Sequence, residues 1–331
     1  MMRETPGQAR RDSSIGVLLK APHHSPHITQ YPLLNTHYLR PMTPIIQTIM
    51  LHRKQVDVLR LDKMTPGGIG NKYYKLRYNL LAAKEQGLKS ILSFGGAFSN
   101  HLHALSAIGK QEGFQTIGVV RGEDDPDNPT LQDLRNNDMH LHFISRQDYR
   151  QKNDASFIRS LEERYGSFYL LPEGGSNSLA VQGCREILQG VKQDYDHILV
   201  AVGTGATVAG IVATPELTSR VTGIAVLKGE DGLSEVVQKF IEPYEINTTW
   251  DISFRYHLGG YARYNADLME YIRNIRDENE LETDPVYTSK VVWACADMLE
   301  KNEIRQDEKV LLIHTGGLQG WMGWNYRFRI S

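Results

Sequence analysis

From Gln55 onward, short apolar and β-branched runs alternate with longer segments whose apolar residues recur at helical spacing. The strand-like runs are VDVLRL (56–61), SILSF (90–94), TIGVV (116–120), HLHFI (140–144), SFYLL (167–171), HILVAV (197–202), VTGIAV (221–226) and KVLLI (309–313). A further run, DISFRYH (251–257), precedes the glycine pair Gly259–Gly260. Between the first two lies KYYKLRYNLLAAKEQG, a helical pattern that stops at Gly87 as a C-terminal cap would. NHLHALSAIGKQEGF repeats the arrangement around Gly113. Strands alternating with helices predict βαβ units and a mostly parallel sheet, hence an α/β fold.

Composition narrows the partners. With 331 residues, 40% of them hydrophobic, the chain is long enough for a sizeable core and two domains. Thirty-seven basic against 39 acidic residues show no basic patch, which argues against nucleic acid and anionic membranes as partners. No apolar run reaches the length of a membrane span. Cys184 and Cys295 form no metal-ligand spacing, so no metal site is expected, and their usage suits a reducing cytoplasm. The polar stretch MMRETPGQARRDSSIG has no apolar segment of the secretory kind. Residues 1–43 read as a poorly ordered extension, with the folded protein beginning near Pro44.

Ligands of open α/β sheets bind where strands run into helices at the carboxyl edge. Four such ends are rich in small and polar residues: SFGGAFSNH (93–101), LLPEGGSNS (170–178), VAVGTGATVAG (200–210) and LIHTGGLQG (312–320). In GTGATVAG, a strand, a tight turn and a helix start follow one another, with Thr204 and Thr207 adding hydroxyls; that is phosphate-cradle chemistry. A dinucleotide loop is the alternative, but its third glycine position is Val208.

The stretch GNKYYKLRY (70–78) holds two lysines. Lys75 is expected to face water. Lys72 follows Gly67, Gly68, Gly70 and Asn71 at a helix start, where the dipole disfavours a cation. A neutral, reactive amine fits that place better. An amine of this kind on the same sheet edge as a phosphate cradle points to pyridoxal 5'-phosphate, whose aldehyde condenses with a lysine.

GNKYYKL, SFGGAFSNH, DPVYTSK and IHTGG together resemble the fold-type II pyridoxal phosphate enzymes that contain 1-aminocyclopropane-1-carboxylate deaminase and D-cysteine desulfhydrase. The motifs occur in the family's order across about residues 44–323. The resemblance implies a two-domain, tryptophan synthase β-like fold with mostly parallel twisted sheets and the cofactor in the interdomain cleft. Residues 44–80 and 186–331 would form the large cofactor-binding domain, and 81–185 the small α/β domain. It also implies a homodimer acting on a small amino acid.

By the same resemblance Lys72 carries the Schiff base, while Ser99 and Asn100 match a serine near the substrate and an asparagine at the cofactor's phenolic oxygen. Gly203, Thr204, Gly205, Ala206 and Thr207 match the phosphate loop. Tyr287 matches an active-site tyrosine, Tyr261 is placed like a second one, and His101 could touch substrate. His103 reads as a packed helix-face histidine. The deaminases resemble D-P-V-Y-E-G-K, with a glutamate near the pyridine nitrogen, where this chain has Thr288; their late motif has leucine where this chain has Thr315. Both threonines resemble the desulfhydrase pattern. A hydroxyl makes the ring a weaker electron sink than a carboxylate does, which suffices when the β-substituent leaves readily. The expected reaction is therefore β-elimination, D-cysteine giving pyruvate, sulfide and ammonia, with cysteate-like substrates and cyclopropane-ring deamination as alternatives. A cofactor-binding protein without turnover and an NAD-dependent oxidoreductase are the rival classes.

Overall fold

The computed structural model describes residues 42–229, 232–260, 263 and 265–329. Most of the expected N-terminal extension, residues 1–41, and Tyr261 lie outside them.

The described chain opens with β1 (Ile46–Leu51) and β2 (Lys54–Arg60), then the short helix α1 (Leu61–Met64) and the long helix α2 (Asn71–Glu85). There follow β3 (Ser90–Gly96), α3 (Asn100–Gln111), β4 (Gln115–Arg121), α4 (Pro129–Asn136), β5 (His140–Ile144), α5 (Ala155–Tyr165), β6 (Tyr169–Leu171) and α6 (Ser178–Cys184). The second half contains β7 (His197–Val202), α7 (Ala206–Val212), β8 (Arg220–Ala225), α8 (Leu233–Ile241), β9 (Trp250–Ser253), α9 (Ala266–Asn279), α10 (Thr288–Glu300), β10 (Val310–His314) and α11 (Gly320–Phe328).

Two sheets result, of order β1-β2-β10-β7-β8-β9 and β5-β4-β3-β6. Every pairing is parallel except β1 with β2. The strands of the four-stranded sheet fall within residues 90–171, between the second and third strands, in chain order, of the larger one.

Parallel strands covered on both faces read as continuous apolar runs, and β7 and β10 are buried along their whole length. Ile198, Val200, Leu311 and Ile313 face the core shared with Leu76 of α2 and Ile211 of α7. The alternate residues Leu199, Ala201, Val310 and Leu312 face Val291, Cys295 and Leu299 of α10. Helix α2 ends as its sequence predicts. Gly87, at φ 68, donates to Lys84 O at 3.0 Å, and Leu88 donates to Ala83 O at 3.0 Å, the double bond of a Schellman cap.

Strand β1 is a finding the apolar pattern did not predict. Its half-exposed sequence, IQTIML, pairs with β2 through a two-residue turn whose central residues, His52 and Arg53, have φ 45 and 64. Two positive φ values define the tight hairpin turn that Asn-Gly usually signals; here neither residue carries the signal. The strand-like runs at 167–171 and 251–257 shorten to three and four paired residues.

The carboxyl ends of β2, β10, β7 and β3 lead into the Lys72 loop, Thr315, the glycine loop and Ser99. These segments, and the LLPEGGSNS loop that follows β6, therefore leave the sheets at carboxyl edges, where βα loops gather.

Candidate active site

Lys72 owes its place to Gly70. That residue has φ 60 and ψ −132, a backbone that disfavours a side chain, and a Cβ there would run into the carbonyl of Thr315. The close approach lets Asn71 N donate to Thr315 O at 3.0 Å, clamping the start of α2 to the end of β10. Lys72 is half-buried, and its Nζ donates to Asn71 Oδ1 at 3.0 Å. Desolvation lowers the amine to about 8, against an opposing pull from Asp284. Asn71 Nδ2 in turn donates to Thr207 Oγ1 at 2.9 Å.

Lys75 does not face water. It lies one helical turn from Lys72 and is 3% exposed, because the loop after β6 closes over it. Its Nζ donates to Gly174 O (3.0 Å), Ser176 Oγ (3.0 Å) and Thr204 Oγ1 (3.1 Å). Burial, then the charge of Lys72, lowers this amine to about 7. Its i, i+3 spacing from Lys72 was the available signal, since such pairs share a helix face; which face was buried could not be read from a helix with apolar residues on nearly every side.

The glycine loop, Gly203 to Thr207, follows β7, and Gly205 (φ 86) turns the chain into α7. The N–H groups that open a helix have no carbonyl within it to bond and carry its positive end. Together with the Lys75 amine and the hydroxyls of Thr204 and Thr207, they form a donor set suited to a phosphate dianion. Tyr287 closes this side; a Cβ on Gly203 would lie 3.6 Å from its ring.

The small-sheet wall comes from the start of α3. Ser99 caps that helix, Oγ accepting from Leu102 N at 3.2 Å. Asn100 approaches the glycine pair after Thr315, so closely that a Cβ on Gly317 would lie 2.8 Å from its Nδ2. His101 is buried; its Nε2 meets Ser93 Oγ at 2.8 Å, and its Nδ1 has no hydrogen-bond partner among the described residues. Burial and the charges of Lys72 and Lys75 hold it well below the usual imidazole value, so it is neutral. His103 sits half-buried on the helix face, 3.6 Å from Asp133.

Thr288 is buried at the start of α10, with its hydroxyl engaged locally. It donates to Asp284 Oδ2 at 2.6 Å and accepts from Asp284 N at 2.8 Å. Asp284 also accepts from the N–H groups of Val286, Tyr287 and Thr288. Thr315, likewise buried, extends from His314, whose Nδ1 lies 3.0 Å from Asp62 Oδ1. Arg60 grips the same carboxylate through Nε (2.8 Å) and Nη2 (2.5 Å). Burial alone would raise the Asp62 carboxyl, but these partners hold it below the usual carboxylate range. Arg60 and Asp62 are two residues apart, but His314 joins them from the far end of the chain, so the three-residue cluster was not legible in sequence.

The residues present fit pyridoxal 5'-phosphate: a desolvated amine for the aldehyde, and a cationic, hydroxyl-lined helix start for the phosphate. Among the described residues no group of His, Cys, Asp or Glu could hold a metal ion, and no helix is long and apolar enough to cross a membrane. The site and fold define a pyridoxal phosphate-dependent α/β enzyme. The chain belongs to the pyridoxal-phosphate dependent enzyme family, whose model matches residues 39–316.

The chain is 26% identical over 279 residues to the mitochondrial bifunctional D-cysteine desulfhydrase/1-aminocyclopropane-1-carboxylate deaminase of Arabidopsis thaliana, covering 76% of this chain and 69% of that one. It is 27% identical over 296 residues to the 1-aminocyclopropane-1-carboxylate deaminase of a Bradyrhizobium strain, covering 78% and 85%. The crystal structure of an ACC deaminase homologue superposes with a TM-score of 0.75 at 25% identity, over 87% of this chain and 94% of the other. These likenesses bear out the family, fold class and cofactor expected from the motifs.

Proposed function

We propose that this protein eliminates a leaving group from Cβ of a small amino acid, with D-cysteine as substrate: D-cysteine and water give pyruvate, sulfide and ammonia. One observation carries the reading. By its resemblance to the D-P-V-Y-E-G-K motif Thr288 stands where the deaminases carry glutamate, and its hydroxyl donates to Asp284 Oδ2. A threonine supplies no ionised acid to keep a ring nitrogen protonated, so the reaction depends on a good leaving group, and a thiol of pKa about 8.5 is one.

Bound pyridoxal phosphate supplies an aldehyde that condenses with amines and a ring that stabilises negative charge at the substrate's Cα. Lys75, Thr204, Thr207 and the N–H groups opening α7 hold its phosphate, and Asn100 its phenolic oxygen. Lys72, lowered to about 8, is poised between amine and ammonium near neutral pH, so it can take the Cα proton. Ser99 and the N-terminal end of α3 receive the substrate carboxylate. Tyr287 and the neutral His101 line the place where the sulfur departs.

The proposal includes a homodimer in the cytoplasm, the latter supported by two buried free thiols, Cys184 and Cys295. It takes 44–80 with 186–331 as the cofactor-binding domain and 81–185 as the small domain, in keeping with the division of strands between the sheets. Ring-opening deamination is the second reading, favoured by the deaminase names of the relatives.

The deciding experiment supplies the cofactor-loaded protein with D-cysteine and, separately, with 1-aminocyclopropane-1-carboxylate. Equal release of pyruvate and sulfide from the first supports elimination. Release of 2-oxobutanoate from the second, with no sulfide from the first, overturns it in favour of the deaminase.

A further inference from the structure

Lys290 is buried in the first turn of α10, 2% exposed, and among the described residues no carboxylate is hydrogen-bonded to it. Its Nζ donates to three main-chain carbonyls: Val226 O at 3.1 Å, His257 O at 2.8 Å and Gly260 O at 3.1 Å. An ammonium has three protons, and each has one acceptor here. Burial lowers the amine to about 8, opposed by the charge of Asp284.

The cage has a second feature. Leu258, Gly259 and Gly260 have φ 48, 88 and 106, three successive residues with positive φ. Leucine resists that region, which costs about 1–2 kcal/mol per residue. The turn is also pressed against the neighbouring segment, since a Cβ on Gly260 would lie 3.1 Å from Lys228 Cβ. A strained turn of this kind persists only where its surroundings over-determine it. The carbonyls of His257 and Gly260, brought to one point with that of Val226, supply the anchor. Several main-chain carbonyls converging on one positive charge is the ligand chemistry by which proteins replace the hydration shell of a monovalent cation.

We propose that the Lys290 ammonium is a tethered monovalent cation, filling a three-carbonyl site of the type that takes potassium or ammonium and so fixing the turn 257–260 to the end of β8. The inference rests on the cage and not on the choice of substrate. Removing the side chain beyond Cβ opens the site to a free cation.

The test measures thermal unfolding of the cofactor-loaded protein and of Lys290→Ala in tetramethylammonium, lithium, potassium and ammonium chlorides at equal ionic strength. Lys290→Ala should unfold about 5 °C or more below the parent in tetramethylammonium. Potassium or ammonium should restore at least half of that loss with saturable dependence, while the parent stays indifferent to the choice of cation. Lys290→Met, which fills the space without charge, should be destabilised and unresponsive to every salt. The proposal is overturned by a Lys290→Ala protein that responds equally to all four salts or folds in none, by a Lys290→Met protein as stable as the parent, or by a parent that itself needs potassium.

Discussion

Asn71 stands between Lys72 and the glycine loop, its Oδ1 accepting from Lys72 Nζ at 3.0 Å while its Nδ2 donates to Thr207 Oγ1 at 2.9 Å. One amide thus ties the Lys72 amine to the glycine loop. Asn71→Asp places a carboxylate at the amine and favours the ammonium, so the pH at which Lys72 becomes neutral should rise by about one unit or more. Capture of pyridoxal phosphate, followed by absorbance across pH, should show its midpoint displaced upward; an unmoved midpoint contradicts the contact.

Lys72→Ala should abolish both the yellow colour of the loaded protein and product formation. Mass spectrometry after borohydride reduction should find the cofactor on Lys72 in the parent and on no lysine in the variant. A variant that stays yellow and active removes Lys72 from the chemistry.

Lys75→Met keeps the length of the side chain and removes its charge. A hydrogen bond to a charged group contributes about 1.5–3 kcal/mol, so pyridoxal phosphate affinity should fall roughly 10- to 100-fold. Pyridoxal lacking the phosphate should bind parent and variant alike. Equal losses for both ligands would place Lys75 elsewhere in the site.

The cofactor-free protein should gain stability as pH rises from 7 to 8.5. Lys75 and Lys72 are lowered to about 7 and about 8, so in this window the unfolded chain binds more protons than the folded one, and stability rises with pH. Lys75→Met should flatten the slope measured by urea unfolding. A slope unchanged in the variant would mean that the amine is charged at neutral pH.

Asp62→Asn leaves Arg60 buried against a neutral amide and weakens the hold on His314. Breaking a buried ion pair by removing one partner costs about 3–5 kcal/mol, and the urea midpoint should fall accordingly. An effect below about 1 kcal/mol would mean that the cluster is as weak as a surface pair.

How much of this was legible in the chain depends on whether the cause is local. Strands β7 and β10 and the end of α2 follow from short-range pattern, because continuous apolar runs suit doubly covered parallel strands and Gly87 supplies the left-handed cap. Four motif-bearing strand ends and the placing of Lys72 at the start of α2 were readable for the same reason: the loops at βα junctions are written in adjacent residues. Lys75 was not, since its burial comes from a loop about one hundred residues away whose carbonyl and hydroxyl groups close over it. Nor was the local engagement of Thr288, which depends on how Asp284 caps α10. The Arg60–Asp62–His314 cluster and the carbonyl cage around Lys290 are likewise products of packing. Desolvation and the convergence of distant polar groups set the charge state of each buried amine, and those arise only once the two sheets and their helices are assembled.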